Sequence, residues 1–226
     1  MRAADLTHVE TWIFDLDNTL YPAECRLFDQ VDKRMGAYIC TLLDVAPDEA
    51  RRIQKAYFRE YGTTMNGLML RHGIDPAGFL EYVHDIDHSP VDPDPRLEAA
   101  LARLPGRKLI YTNGSVRHAE RVMERLGVGH HFEAIFDIVA GDYRPKPQPH
   151  GYEKLVKQHR VDPRGAAMFE DIARNLEAAH ALGMTTVHVH TGDDWAREGA
   201  DAPHVHHRID DLVAFLDAAV PVRPLD

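Results

Sequence analysis

Two aspartates separated by one residue, Asp15 and Asp17, are the first candidates for chemistry in the chain. They stand at the end of an apolar run, residues 11–16, that predicts a buried strand. Because side chains alternate along a strand with a period of two, both carboxylates leave it on the same side. Carboxylates this close repel each other unless one is protonated or a hard divalent cation such as Mg²⁺ neutralises them. The alternative is a loop whose acids are simply solvated.

A hydroxyl and an amide, Thr112 and Asn113, end the second apolar run, residues 108–112. A hydroxyl and backbone N–H groups just before a helix can bind an anion such as phosphate. An Asn-Gly pair is also a common turn, which is the alternative interpretation of this segment.

A single lysine, Lys146, lies in the sequence Arg-Pro-Lys-Pro-Gln-Pro. The three prolines restrict the backbone on both sides of it. An ammonium group fixed in this way can neutralise phosphate charge. The alternative is a rigid surface loop with a solvated lysine.

A second pair of acids, Glu170 and Asp171, ends another apolar run. Acids at that position can complete a metal site with oxygen ligands. Asp171 is equally suited to cap the following helix, which is the alternative.

Apolar runs alternate with amphipathic stretches along most of the chain. Runs that are continuously apolar are typical of parallel strands covered on both faces. The predicted strands are residues 11–16, 108–112, 134–140, 166–169 and 185–190. Helical patterns between them, such as 115–126 with Val116 on its apolar stripe, complete βαβ units. We therefore predict an α/β core with a doubly wound parallel sheet of the Rossmann-like type.

Residues 21–94 interrupt this alternation. They show helical patterns, one of which opens at Pro47, and no convincing strand. In open α/β sheets ligands bind at the carboxyl ends of the strands, so an insertion directly after the first strand is placed to cover such a site. We predict a core domain of residues 1–20 and 95–226 and a small inserted α-helical cap domain of residues 21–94.

Composition argues against several classes of function. Lys and Arg number 26 against 36 Asp and Glu, and the net charge of −10 repels nucleic acid polymers and anionic membranes. No stretch reaches the ~18 consecutive apolar residues of a membrane span, and residues 1–10 lack the apolar region of a signal peptide. The two cysteines, Cys25 and Cys40, suit a reducing compartment. We expect a cytoplasmic protein without membrane or nucleic acid partners.

The 15 histidines include a His-x-His-His group, formed by His204, His206 and His207, and an alternating pair, His188 and His190. Imidazole pairs can bind Zn²⁺. No cysteine or acidic cluster is dedicated to them, so the sequence favours adventitious Ni²⁺ or Zn²⁺ binding over a physiological metal site.

The acid pair, the hydroxyl, the lysine and the second acid pair follow four predicted strands in that order. This combination resembles the haloacid dehalogenase-like hydrolase superfamily, with its Asp-x-Asp-x-Thr, Ser/Thr, Lys and acidic motifs. The motifs span residues 15–171, and the fold pattern covers nearly the whole chain. The insertion, between the first motif and Thr112, is similar in position to a C1-type helical cap.

Residues 14–22, 61–68 and 170–175 narrow the resemblance to the pyrimidine 5′-nucleotidase branch. One departure from the family pattern is Ile172, where related proteins often carry a small hydroxyl residue. Glu170, the first acid of the pair, is a common variant of the usual aspartate. The resemblance implies a nucleoside monophosphate as substrate. The resemblance also makes four residues candidates for substrate specificity, namely Tyr21, Tyr61, Thr64 and Asn66. The alternative is that these residues only pack within the cap.

The resemblance also implies roles for the core residues. Asp15 is the nucleophile that forms an aspartyl-phosphate, and Asp17 is the general acid and base. The implied Mg²⁺ ligands are Asp15, the backbone carbonyl of Asp17, and Asp171, with Glu170 acting through water or a neighbouring ligand. The residues that hold the phosphoryl oxygens are Thr112, Asn113 and Lys146.

An alkoxide leaving group needs a proton, whereas a halide does not. An acid two residues after the nucleophile therefore favours phosphoryl transfer over dehalogenation. The leading hypothesis is an Mg²⁺-dependent phosphatase of nucleoside 5′-monophosphates, monomeric or homodimeric. A phosphatase for another small metabolite, such as a sugar phosphate or phosphoglycolate, and a mutase are alternatives. A non-catalytic phosphate-binding module on the same fold is an alternative of another class, although it would not need all of the motif residues.

Overall fold

The computed structural model describes residues 6–192 and 195–219, and within these residues it contains six strands and nine α-helices. The strands are β1 (Thr11–Phe14), β2 (Arg107–Tyr111), β3 (Ala134–Phe136), β4 (Ala166–Glu170), β5 (Thr185–Val189) and β6 (His207–Ile209). The helices are α1 (Leu27–Leu43), α2 (Pro47–Tyr61), α3 (Thr64–His72), α4 (Pro76–Val83), α5 (Pro95–Arg103), α6 (Val116–Leu126), α7 (Pro149–His159), α8 (Glu177–Leu182) and α9 (Leu212–Ala219).

All six strands are parallel and form one sheet in the order β3-β2-β1-β4-β5-β6. Phe14 at the end of β1 is in register with Ile110 of β2 and Phe169 of β4. The sheet order reverses between β1 and β4, and such a reversal opens a crevice at the carboxyl ends of the strands. The predicted doubly wound, Rossmann-like core is confirmed.

Alternate residues of the strands fill two apolar layers on opposite faces of the sheet. On one face, Phe14 stacks on Phe169 with ring centroids 4.7 Å apart, in a cluster that also holds residues of α5, α6 and α9. On the other face, Ile13, Leu109 and Met168 pack with residues of α7 and α8. This burial on both sides explains why the strands are continuously apolar in sequence.

Helices α1–α4 lie between β1 and β2 in the chain and share an apolar cluster, which Ile138 of the loop after β3 joins. Its fully buried members include Ile39, Leu68 and Phe79. Helix α2 begins at Pro47, as predicted, and α3 begins after Thr63, whose hydroxyl accepts from the Asn66 N–H. Among residues 6–192 and 195–219, none of the helices combines the length and the apolar character needed to cross a membrane.

Strand β3 is shorter than the predicted 134–140. It ends at Phe136 because the next residue, Asp137, turns the chain with its carboxylate. That carboxylate accepts from the backbone N–H of Ala140 at 2.8 Å and from that of Val116 at 3.1 Å. An Asx-type turn of this kind competes with strand pairing.

Two other features differ from the sequence analysis. Strand β6 is not among the predicted strands, because its three residues, His-Arg-Ile, carry little apolar periodicity. In helix α6, Ser115 caps the start and Gly127 ends it in the left-handed conformation, as predicted. However, Val116 of the predicted apolar stripe is 36% exposed, whereas His118 is 1% exposed and occupies the buried face instead.

Candidate active site

Asp15 lies directly beyond β1, and its backbone N–H continues the sheet by donating to the Phe169 carbonyl at 2.9 Å. The side chain is buried. One carboxylate oxygen, Oδ2, accepts from the Thr19 hydroxyl at 3.0 Å, and the other, Oδ1, accepts from the Lys146 ammonium at 2.6 Å. The turn that brings Thr19 back to Asp15 includes Asn18 in the left-handed region (φ 58°). The carboxylate is therefore held at both oxygens.

Lys146 is fully buried and joins three strand ends. Its ammonium group donates to Asp15 Oδ1, to Glu170 Oε2 at 2.5 Å and to the Tyr111 carbonyl at 2.9 Å. The loop that carries it is fixed at its backbone, where the Lys146 N–H donates to Asn113 Oδ1 at 2.9 Å. Burial alone would lower the pKa of Lys146, but the two carboxylates raise it well above its usual value. The lysine is therefore charged at neutral pH.

Three buried carboxylates, those of Asp15, Glu170 and Asp171, each place an oxygen within 4.8 Å of the others. Burial and the neighbouring Glu170 raise the pKa of Asp15 to about 7, against the lowering effect of Lys146. The same two causes raise the pKa of Asp171 well above its usual range. One lysine thus compensates only part of the negative charge. Hard oxygen donors with uncompensated charge fit a divalent cation such as Mg²⁺.

The two residues of the acid pair have different surroundings. Glu170 Oε2 accepts from Lys146, and Oε1 accepts from the Asn175 amide at 3.1 Å and from the Ile172 N–H at 3.3 Å. The backbone carbonyl of Asp171 lies 2.8 Å from His188 Nε2, which fixes the chain at this point. Asp171 does not cap a helix, since a 3₁₀ turn, Ala173–Leu176, follows it and α8 starts only afterwards. Both residues line the cavity described below, but Glu170 is held there by three protein donors.

Thr112, Asn113 and Gly114 form the turn between β2 and α6 and line the same cavity. The Thr112 hydroxyl accepts from the Gly114 N–H at 2.9 Å, so its own hydrogen is available to another acceptor. Asn113 uses its side-chain oxygen to hold the Lys146 loop. The structure brings Thr112, Asn113 and Lys146 to the cavity beside Asp15, Asp17 and Asp171, as the sequence predicts for these strand ends.

Asp17 sits beside this cluster and has partners of its own. Its Oδ1 accepts from the Tyr21 hydroxyl at 2.6 Å and lies 2.8 Å from His118 Nε2. Burial would raise the pKa of Asp17, but the charge and hydrogen bond of His118, with the Tyr21 hydroxyl, lower it to about 2. The two aspartates of the first motif thus have pKa values shifted in opposite directions, as is common for groups with different roles in acid–base chemistry.

A cavity of about 450 Å³ extends from these residues to helices α1, α2 and α4. Its wall offers more apolar than polar surface, but charged and polar side chains, among them Asp32, Arg51 and Lys55, stand beside the apolar and aromatic ones. Phe58 of this wall packs edge-to-face on Trp195 at 5.3 Å and lies under the Arg174 guanidinium at 4.4 Å. The residues of this wall include Phe28, Gln54, Phe58, Phe79, Arg174 and Trp195.

Of the four residues suggested for specificity, Thr64 lines the cavity. Tyr21 is buried against Asp17. The Tyr61 ring packs on Tyr57, and the Asn66 amide donates to the Tyr61 carbonyl at 2.8 Å. The structure does not place Tyr61 or Asn66 among the residues that line the cavity.

Three histidines of the two groups noted in the sequence make hydrogen bonds within the core. His188 is 2.8 Å from the Asp171 carbonyl, His204 is 3.1 Å from the Ala173 carbonyl, and His206 bonds Thr186. In residues 6–192 and 195–219, the His, Cys, Asp and Glu groupings close enough to hold a metal include none of these histidines. Among the same described residues, one group besides the strand-end carboxylates has its ligand atoms close enough together to hold a metal ion. It is partly exposed and consists of Glu98, His130 and His131.

Two curated proteins are similar in sequence to this chain, and one of them is a phosphatase by name. It is 28% identical over 217 residues to phosphate metabolism protein 8 of Saccharomyces cerevisiae, a match that covers 88% of this chain and 67% of that protein. It is 31% identical over 138 residues to N-acetylmuramic acid 6-phosphate phosphatase of Pseudomonas aeruginosa, covering 58% of this chain and 59% of that protein.

The fold matches a solved structure of a putative hydrolase of the same class from Bacillus subtilis, described as bound to magnesium. The TM-score is 0.60 at 12% identity, with 93% of this chain and 98% of that chain covered. The family model for haloacid dehalogenase-like hydrolases matches residues 9–183. With three motifs at the ends of β1, β2 and β4 and the Lys146 loop around one cavity, this chain belongs to the haloacid dehalogenase-like hydrolase family.

Proposed function

We propose that the protein is an Mg²⁺-dependent phosphomonoesterase that forms an aspartyl-phosphate on Asp15, with residues 21–94 as its cap domain. The observation that carries the proposal is the pair of unlike aspartates. Asp15 is held by Lys146 among buried carboxylates, and Asp17 stands two residues further on with a histidine behind it. A nucleophile and an acid are the two groups that hydrolysis of an alkyl phosphate requires.

In the first half of the reaction a carboxylate oxygen of Asp15 attacks phosphorus. The bond from phosphorus to the ester oxygen breaks as the bond to Asp15 forms, and Asp17 gives a proton to the departing oxygen. A positioned acid of this kind supplies ~10²–10⁴-fold in rate. Lys146, the Thr112 hydroxyl and the N–H groups of the 112–114 turn receive the phosphoryl oxygens.

In the second half, water attacks the aspartyl-phosphate and Asp17 takes its proton. Phosphate leaves and Asp15 is free again, so no atom is gained or lost by the enzyme. The cation would be held by Asp15 and Asp171, with the backbone carbonyl of Asp17 added by family resemblance. When bound it supplies positive charge that lets the anionic nucleophile and the anionic ester approach each other.

Dehalogenation is the competing chemistry within the family. A halide leaves as an anion and needs no acid, so the hydrogen-bonded Asp17 would have no task. A non-catalytic module is disfavoured as well, because burial of three carboxylates beside one lysine costs free energy that a passive scaffold has no reason to spend.

For the leaving group we propose a nucleoside, with a pyrimidine base favoured by family resemblance. The aromatic rings of Phe28, Phe58 and Phe79 offer stacking surfaces for a flat base, and the Gln54 amide lies in the same wall. A phosphorylated sugar is the second candidate, which the name of the Pseudomonas relative supports. In both cases the partner is a small phosphorylated metabolite.

Phosphate release from a panel of esters tests the proposal. The panel holds UMP, CMP, dUMP, AMP, GMP, phosphoglycolate, N-acetylmuramic acid 6-phosphate and several hexose phosphates. We expect release with Mg²⁺, loss with EDTA and recovery when Mg²⁺ is added in excess. Preference for UMP and CMP supports the nucleotidase, and preference for a sugar ester keeps the chemistry but replaces the leaving group. Absence of release from every ester would contradict the phosphatase.

A further inference from the structure

A buried chain of hydrogen bonds runs away from the cavity behind Asp17. His118 Nε2 lies 2.8 Å from Asp17 Oδ1, and His118 Nδ1 lies 3.2 Å from His88 Nε2. His88 Nδ1 in turn lies 3.1 Å from the Ile86 carbonyl oxygen. Both histidines are buried, so the chain has no exit to solvent along its length. It begins at the candidate general acid and ends at a backbone acceptor.

The acceptor at the end of the chain fixes where the hydrogens are. A carbonyl only accepts, so His88 carries its hydrogen on Nδ1. Burial and the neighbouring His118 lower the pKa of His88, so this ring is neutral and its Nε2 accepts. His118 must then donate from Nδ1. The remaining contact joins His118 Nε2 to Asp17 Oδ1, so the ring is held between His88 and the carboxyl group.

The carboxyl group of Asp17 is also oriented. Tyr21 and His118 both contact Oδ1, and among residues 6–192 and 195–219 no group is hydrogen-bonded to Oδ2. The ring of His84 stacks on that of His118 with centroids 4.5 Å apart and an angle of 9° between the planes. His84 is itself tied to Ser115 Oγ at 3.0 Å, next to the start of α6. One oxygen of Asp17 is thus anchored, and the other is left for the substrate.

We propose that His118 is a positioning residue for Asp17, whose carboxyl group it orients through Oδ1 so that Oδ2 is left for the leaving oxygen of the substrate. His88 acts through His118 by holding the donor on Nδ1. The proposal rests on the proposed function, since it assumes that Asp17 serves as the acid.

The proton count over one turnover is balanced. When the ester bond breaks, an O–H bond of the leaving alcohol forms, and Asp17 has one proton fewer. When water attacks the phosphorylated Asp15, Asp17 takes up the proton of that water. The Tyr21 hydroxyl keeps its hydrogen throughout, because burial and Asp17 raise the pKa of Tyr21 well above 10.

Leaving groups that differ in their need for a proton separate this role from a structural one. We expect His118→Ala to lower kcat/KM for the best alkyl phosphate of the panel by about 30-fold or more, within the range of a general acid. For 4-nitrophenyl phosphate, whose phenolate leaves without a proton, the expected loss is less than about 5-fold. Asp17→Asn provides the reference, with the same preference for the aryl ester and a larger loss.

Three further variants keep the result interpretable. His118→Gln restores a donor to Asp17 Oδ1, so it should recover part of the kcat/KM that His118→Ala loses with the alkyl phosphate. His88→Ala should show the same pattern as His118→Ala with a smaller amplitude, even where His118→Ala is poorly folded. His130→Ala removes an exposed imidazole and should match the wild type with both esters.

Equal losses with the two esters in His118→Ala and His88→Ala, or no loss with either, would overturn the proposal. The proposed function fails in a different way, through absent turnover of both esters by the wild type or through full activity of Asp15→Asn. The two results cannot be confused, because one concerns a ratio between esters and the other concerns activity itself.

Discussion

The two sides of the cavity are built in different ways. On the sheet side, the reacting groups come from short segments at the ends of β1, β2 and β4 and from the loop of Lys146, and they are locked by hydrogen bonds to one another. On the helical side, the wall comes from single residues spaced along α1, α2 and α4, such as Phe28, Phe58 and Phe79. Phe28 and Phe79 belong to the apolar cluster of these helices, whereas Phe58 packs on Trp195.

Because of this difference, the two sides tolerate different substitutions without loss of function. A charged network of buried groups fails when one partner is removed, because the other charges remain buried and unpaired. An apolar wall tolerates substitution at a cost that follows the area lost. The sheet side therefore suits chemistry common to a family, and the helical side suits the choice of leaving group.

The largest expected effect is on the sheet side, at the nucleophile. Asp15→Asn keeps the size of the side chain and removes its charge, so we expect kcat to fall by ~10³-fold or more while the protein stays folded. Steady-state kinetics and circular dichroism measure the two properties. Asp48→Asn, an exposed aspartate in the first turn of α2, is the matched control and should be unchanged. Turnover at the wild-type rate in Asp15→Asn would remove Asp15 from the mechanism.

Lys146→Met tests whether the sheet side is one network. The substitution leaves the Asp15 and Glu170 carboxylates buried without their cation, so we expect a loss of stability of about 3 kcal/mol or more. Activity should fall by ~10²-fold or more as a phosphoryl contact is lost. Lys154→Met is the control, since that lysine pairs with Asp142 at the surface, where an ion pair contributes less than about 1 kcal/mol. Equal stability losses in urea denaturation of the two variants would contradict the comparison.

The sequence allowed most of the sheet side to be predicted. An apolar strand followed by Asp-x-Asp, and a second strand followed by Thr-Asn-Gly, are contiguous signals, and parallel pairing brings their ends together. The role of Lys146 as a bridge to Glu170 was less accessible, because the loop meets the sheet only in the folded chain. His118 left a trace, since it is a polar residue on the face of α6 that carries Ala119 and Val122.

The helical side could not be predicted in the same way. Phe58 and Phe79 have the spacing of ordinary core residues, and nothing local distinguishes a ring that lines a cavity from one that fills a core. Trp195 lies 137 positions after Phe58 in the chain, in neither a predicted strand nor a predicted helix, and only the folded chain brings the two rings together. The residues chosen by resemblance, Tyr61 and Asn66, contact other residues of the helical segment instead.

Phe58→Ala should sharpen the contrast between the two sides. Loss of the ring removes a stacking surface worth about 0.5–1.5 kcal/mol, so KM for the preferred nucleotide should rise about 2- to 12-fold. The kcat should change little, and activity with 4-nitrophenyl phosphate should be retained. Leu70→Ala, at an exposed leucine of α3, is the control. A fall in kcat with every ester would mean that the helical wall takes part in the chemistry itself.

The smallest expected effect is a pH-dependent shift of thermal stability. Burial and Glu170 raise the pKa of Asp15 from 3.8 to about 7, so the folded protein holds this proton more tightly than the unfolded chain does. The wild type without Mg²⁺ should therefore lose stability as the pH rises from about 4 to about 7, a loss that Asp15→Asn does not share. Histidines with lowered pKa values, such as His84, act in the opposite sense but equally in both proteins.

The comparison of the two melting temperatures isolates the contribution of Asp15. We expect Asp15→Asn to gain about 3 °C or more over the metal-free wild type between pH 4.5 and pH 8. Mg²⁺ should reduce this gain at pH 8, because a cation among the carboxylates stabilises the ionised form. A difference that is constant with pH would show that the charge on Asp15 is already compensated by Lys146 alone. The sheet side would then be a balanced network before any cation binds.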